Sequence, residues 1–107
     1  MELGLKGKNI IITGGGSNIG RAIVHAFAAE GSNIIIAELA PEQGEKVAQE
    51  IHSINPGTQV KVIATDVTDN AQVESMVEQS INTFGQIDCL VNNVGWTIDR
   101  LFLDKPR

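Results

Sequence analysis

The stretch Thr13-Gly14-Gly15-Gly16-Ser17-Asn18-Ile19-Gly20 decides how this chain is read. Before it stands Asn9 to Thr13 (NIIIT), a short unbroken run rich in β-branched residues, which reads as a strand buried on both faces. After it, from Ile19 to Glu30, the residues Ile19, Ile23, Ala26 and Phe27 recur at helical spacing, and Gly31 supplies a stop. A strand turned into a helix by glycines aims the first backbone N–H groups and the positive end of the helix dipole at one point, where a phosphate is favoured. Three consecutive glycines with Gly20 beyond them exceed what a plain turn requires.

Outward from that turn the same alternation repeats. Asn33 to Ala37 (NIIIA) is a second buried strand ending on Glu38, and Pro41 suits the first turn of a second helix whose inner face is marked by Val47, Ile51 and Ile54. Asn55-Pro56-Gly57 breaks it, and Val60 to Thr65 is a third strand. A third helix follows Asp66-Val67-Thr68-Asp69, with a buried stripe of Val73, Met76, Val77, Ile81 and Phe84 and a stop at Gly85. Ile87 to Val91 (IDCLV) is a fourth, apolar strand, in which Cys89 reads as a small buried hydrophobe. The pattern predicts an α/β fold, a partial doubly wound parallel sheet of about four strands in the order 3-2-1-4 with helices on both faces. One domain spans 1–107.

Two familiar phosphate motifs do not fit the turn. Gly14 and Gly16 are followed by Ile19 where G-x-G-x-x-G needs its third glycine, and after Gly20 the residues Arg21-Ala22 replace the Lys and hydroxyl of a P-loop. The chain does resemble the short-chain dehydrogenases/reductases, whose Rossmann-type turn reads TGxxxGxG. The likeness runs from Lys8 to about Trp96 through four ordered motifs: Thr13 to Gly20, Glu38, Asp66-Val67, and NNVG from Asn92 to Gly95. It implies that Gly14, Ser17, Asn18, Ile19 and Gly20 border the pyrophosphate and adjoining ribose of a dinucleotide. Asp66 and Val67 would then lie along the adenine, with Asn92 and Gly95 toward the nicotinamide half. Asn18 departs from the family, which has glycine there. Asparagine tolerates a left-handed backbone, so the turn is expected to persist, with a Cβ added near the cofactor.

Glu38 ends the second strand eighteen residues after Gly20, close to the spacing of the acid that accepts from an adenosine ribose. A carboxylate there repels a 2′-phosphate, and neither Gly15, Gly16, Ser17 nor Leu39 offers a compensating cation, so NAD is favoured over NADP. Asp69, three residues before Gln72, has capping-box spacing and reads as a helix cap. For Asp66, loop structure and cofactor contact are both open. Of the asparagine pair, Asn92 is preferred for contact and Asn93 for bracing.

The resemblance also implies an alcohol or ketone substrate and a catalytic Ser with Tyr-x-x-x-Lys, but the 107 residues contain no tyrosine. No catalytic and no metal-binding residue is therefore assigned; His25 and His52 lie within predicted helices and read as packing or surface residues. The expectation is the cofactor-binding half of an oxidoreductase, inactive alone, with its catalytic positions beyond Arg107. The competing reading is a non-catalytic dinucleotide-binding or interaction module complete at Arg107. A methyltransferase-like domain is disfavoured because three glycines at a helix start suit an anion.

A net charge of −5 with four aromatic residues excludes the footprint of a nucleic-acid binder. No stretch approaches the length of a membrane span and no leader pattern opens the chain, so a soluble cytoplasmic protein is expected. The bare fourth strand predicts self-association or only marginal stability, and a homo-oligomer is expected.

Overall fold

The two isoleucine runs become the centre of the sheet. In a computed structural model, which describes residues 4–93, β1 (Asn9–Thr13) pairs in parallel with β2 (Asn33–Glu38) on one side and β4 (Cys89–Asn92) on the other. β3 (Val60–Ala64) pairs in parallel with β2 and completes the order β3-β2-β1-β4. The connecting helices are α1 (Asn18–Ala29), α2 (Pro41–Ile54) and α3 (Asn70–Phe84). This is the partial doubly wound fold expected from the alternation.

Register aligns Ile10 with Ile34 and Ile12 with Ile36, so these four side chains share one face. They form a sealed core with Val24 and Ala28 of α1 and Val47 and Ile51 of α2. Ile11, Ile35, Ala37 and Ile63 share the opposite face with Met76 of α3. Because successive strand residues point to opposite faces, an unbroken isoleucine run is what a sheet covered on both sides demands. At the far end from the glycines, Asp88 fixes the β1–β4 register: Asn9 N–H donates to Asp88 Oδ2 at 2.8 Å, and Asp88 N–H donates to Asn9 O at 2.8 Å.

Four details differ from the sequence reading. α1 buries Gly20, Val24 and Ala28, while Ile19 is 69% exposed and Ala26 is exposed. The helix approaches the sheet through its small residues, which rotates the apolar stripe by about one position. Ile54 is exposed because it is the last residue of α2, directly before the Asn55-Pro56-Gly57 break. In α3 only Met76 and Ser80 are buried; Val77 and Ile81 are exposed, with Val73 and Phe84 half-buried. β4 is likewise an open edge, with Leu90 60% exposed and Cys89 exposed instead of buried. A cavity of about 300 Å³ lies between α3 and β4, lined by Ile11, Val73, Met76, Val77, Ile87 and Leu90 among others. Among the described residues no strand pairs with β4 on its outer side, which leaves Leu90 exposed while Val91 packs half-buried against the core under α1 and α2.

Candidate functional site

Parallel strands all end at one edge of the sheet, so the carboxyl ends of β1, β2 and β4 bring Gly14, Glu38 and Asn92 together. Thr13 is followed by Gly14 with φ at 67°, a left-handed backbone that turns the chain out of the strand. Gly14 N–H donates to Ala37 O at 2.8 Å, and Ser17 N–H donates to Gly14 O at 3.1 Å. The turn then enters α1 so closely that a Cβ on Gly20 would collide with Gly14 O. Glycine is required at 14 by conformation and at 20 by space.

Ser17 is the N-cap of α1. Its Oγ accepts from Gly20 N–H at 3.0 Å and donates to Gly14 O at 2.9 Å. Capping satisfies one amide of the first turn; the N–H groups of Asn18 and Ile19 have no intrahelical acceptor, since none exists before the fourth residue. Ser17, Asn18 and Ile19 are all exposed at this helix start. Asn18 has no positive φ. The left-handed conformation expected of it is absent, because it is already the first helical residue and Gly14 alone makes the reversal.

Glu38 faces the turn directly. Gly16 N–H donates to Glu38 Oε1 at 2.7 Å, and Ala40 N–H donates to Oε2 at 3.2 Å. The second bond matters to α2, whose N-cap residue Ala40 has no side-chain acceptor of its own. On the other flank, Thr13 Oγ1 donates to Asn92 Oδ1 at 3.1 Å and to Val91 O at 3.3 Å, and accepts from Asn93 N–H at 2.9 Å. Asn93 Nδ2 reaches across to Gly14 O at 3.3 Å and Ser17 Oγ at 3.2 Å, so β4 holds the glycine turn in place. Both asparagines brace this end of the sheet: Asn93 ties β4 to the turn, and Asn92, exposed at the strand end, holds Thr13 through its Oδ1.

Asp66 is engaged locally. Its Oδ1 accepts from Thr68 Oγ1 at 2.6 Å and from Thr68 N–H at 2.9 Å, and these bonds hold the carboxyl below its ordinary value. Val67 lines the apolar cavity with Thr13 and Asn92. Asp69 caps α3, accepting from Ala71 N–H at 3.0 Å and Gln72 N–H at 3.3 Å; Gln72 Oε1 turns back to accept from Asp66 N–H at 2.8 Å. Gly95, like Trp96, lies outside the described residues. His52 is in the last turn of α2, and His25 Nε2 lies 2.9 Å from Glu50 Oε1, an acid shared with Arg21 Nε at 2.7 Å. These two histidines belong to helices, not to the strand ends. What the sequence reading did not reach is Thr13 and Asn93 as one clamp, and Gly16 as a donor to Glu38. The only sequence signal for them is their place at strand ends that a parallel sheet brings together.

An open helix start and a buried acid on one strand-end edge can hold an anion beside a hydroxyl-bearing group. Known proteins share the fold and much of the sequence that carry this arrangement. A family model described as short chain dehydrogenase matches residues 8–106. L-fucose dehydrogenase of Bos taurus is 39% identical over 90 residues, which are 84% of this chain and 31% of that protein. Among solved structures, an NAD+-bound xylitol dehydrogenase superposes with a TM-score of 0.80 at 33% identity, covering 86% of this chain and 35% of its own. The 3-ketoacyl-(acyl-carrier-protein) reductase from Brucella melitensis, complexed with NADH, superposes at 0.72 with 34% identity over 80% and 33% of the two chains. The chain spans roughly a third to two-fifths of the length of most of the curated relatives it matches. No described helix is long and apolar enough to cross a membrane.

Proposed function

The chain belongs to the short-chain dehydrogenase family, and on that premise we propose that it is the NAD-binding portion of an oxidoreductase acting on an alcohol or ketone. The observation that carries the reading is the 2.7 Å contact between the glycine turn and Glu38, which joins an anion-binding helix start to a ribose acceptor. The residues fit the dinucleotide: Asn18 and Ile19 offer first-turn amides to the pyrophosphate, Gly20 leaves the backbone bare, and Glu38 accepts from the adenosine ribose. Asp66 and Val67 border the adenine side, with Asn92 toward the nicotinamide. Relatives solved with NAD or NADH support that ligand. When bound, the dinucleotide supplies or takes the hydride.

The reacting hydroxyl also exchanges a proton, and its carrier must have a pKa matched to the working pH. The family's tyrosine is not among these 107 residues. These 107 residues are therefore expected to bind without turnover. Similar relatives that carry names as different as fucose and xylitol dehydrogenases leave the substrate open within that class.

Equilibrium dialysis of the purified chain against NADH and NADPH tests this. Saturable binding with preference for NADH, and no consumption of cofactor with alcohols or ketones, is the expected result. Binding absent or confined to millimolar concentrations of both dinucleotides overturns it.

A further inference from the structure

Gly16 sits at the one point where the turn, the acid and the second helix meet. Its N–H donates to Glu38 Oε1 at 2.7 Å, and Glu38 is only 9% exposed. The first turn of α2 closes the remaining side. A methyl group at position 16 would stand 2.7 Å from Gln43 Cβ, 2.8 Å from Glu38 Oε1 and 3.0 Å from the backbone carbonyl carbon of Gln43. No side chain fits there without moving the acid or the helix.

Resting on the NAD-binding reading above, we propose that Gly16, walled in by Gln43, is a specificity-determining position that pins Glu38 so that the site accepts a ribose 2′-hydroxyl and refuses a 2′-phosphate. A free glutamate has three rotatable bonds and can swing away from an incoming phosphate, so a negative charge at the strand end does not by itself enforce selection. Glu38 cannot swing without breaking its charge-assisted bonds to the Gly16 and Ala40 amides. A carboxylate accepts about four hydrogen bonds. Two are taken by those amides, and the remaining capacity matches the two donors of a ribose cis-diol. A 2′-phosphate brings negative charge and no donor to match.

The test is the ratio of NADH to NADPH affinity for wild type, Gly16→Ala, Glu38→Ala and the double variant. Gly16→Ala is expected to lower the ratio by roughly tenfold or more, the effect of losing a hydrogen bond to a charged group. The double variant should then fall little below Glu38→Ala, since Gly16 acts through the acid. An unchanged ratio in Gly16→Ala, or losses that add independently, overturns the inference while leaving NAD binding intact. Wild type that binds neither dinucleotide overturns the functional reading and this inference with it.

If Gly16→Ala fails to fold, adding Gln43→Gly removes the nearest helix contact, the Gln43 Cβ, keeps the Glu38 side, and should show the same loss of ratio. Amide hydrogen exchange is independent of that variant. Protection of the Gly16 amide that disappears in Glu38→Ala supports the pin, and open-loop exchange in wild type overturns it.

Discussion

The two faces of the sheet are made from the same isoleucine runs, yet they reach different ends. The face under α1 and α2 is closed: Ile10, Ile12, Ile34, Ile36, Ile51 and Val24 are all fully buried. The face under α3 is half finished, with Met76 buried but Val77, Ile81 and Leu90 left in solvent around an apolar cavity. The turn from Gly14 to Gly20, Glu38 and the start of α2 all hang from the closed face. Val67 and Asn92 border the open one. Folding stability and the proposed contacts of Glu38 and the glycine turn therefore rest on one layer, and the other is the one that, among the described residues, lacks a cover.

The most severe way to break this contrast is to remove volume from each face in turn. Ile36 is fully buried and lies against the positions of Gly15 and Gly44, where added Cβ atoms would stand 2.7 and 3.3 Å from its Cγ2. Ile36→Ala should cost about 2–5 kcal/mol, enough to unfold a chain of this size under mild denaturant. Leu90→Ala on the open face should cost no more than about 0.5 kcal/mol. Urea unfolding followed by circular dichroism measures both. Equal losses would mean that the open face is packed in solution, by a second copy of the chain, and sedimentation would then show the dimer.

The same contrast explains what could be read from residues alone. Strand runs rich in β-branched residues, glycine punctuation and 3.6-residue spacing specify every element, because each is a local signal repeated three or four times; the strand order follows only once the alternation is taken as doubly wound. The stripe on α3 reads as buried because Val73, Met76, Val77, Ile81 and Phe84 have the right spacing; periodicity records which face is apolar, not whether anything covers it. For α1 the spacing is right and the phase is off, since Gly20 and Ala28 carry little apolar weight yet permit the closest approach to the sheet. In the site, Gly14, Ser17, Gly20 and Glu38 can be picked out by type and spacing. The bonds from Asn93 to Gly14 and Ser17, and from Gly16 to Glu38, depend on strand register, which no local pattern encodes.

A smaller effect is expected where the closed face meets the ligand. Glu38→Ala with Leu39→Arg removes the repelling acid and adds a cation at a position already 71% exposed. The NADH preference should fall by about tenfold or more, toward NADPH. Titration of both dinucleotides reads it, and unchanged selectivity removes Glu38 from the site. Some stability is lost as well, since Ala40 N–H no longer has the Glu38 acceptor and α2 has no other side-chain cap. Asn18→Gly lies lower on the scale. Asn18 is helical and exposed, so the change relieves no backbone strain. It removes only a Cβ and an amide beside the proposed pyrophosphate position. Dinucleotide affinity should stay within about threefold of wild type or improve, while helix stability drops by at most about 1 kcal/mol. A large loss of affinity would make the asparagine itself a ligand, and selection would then no longer rest on Glu38 alone.

The smallest effect lies within the closed layer, between its two helices. Glu50 on α2 takes His25 Nε2 at 2.9 Å and Arg21 Nε at 2.7 Å from α1 on the same oxygen. The hydrogen bond with His25 first, and that with Arg21 second, hold its carboxyl below the ordinary value of 4.5. A carboxyl lowered in the folded state contributes stability that is complete above its unfolded value and is lost as the pH falls through the folded one. The bracket should therefore help hold α1 on α2 at neutral pH and fail only on acidification below about 4.5. Because Glu50 and Arg21 are both well exposed, solvent screening keeps the contribution slight. Asp66, also lowered, titrates in the same acid range but belongs to the loop before α3, so it is common to wild type and to Glu50→Gln. Subtracting the two stability profiles isolates the bracket: the curves should run apart at neutral pH and converge in acid. Curves that stay parallel throughout would show that burial alone, without the ionic tie, closes this face.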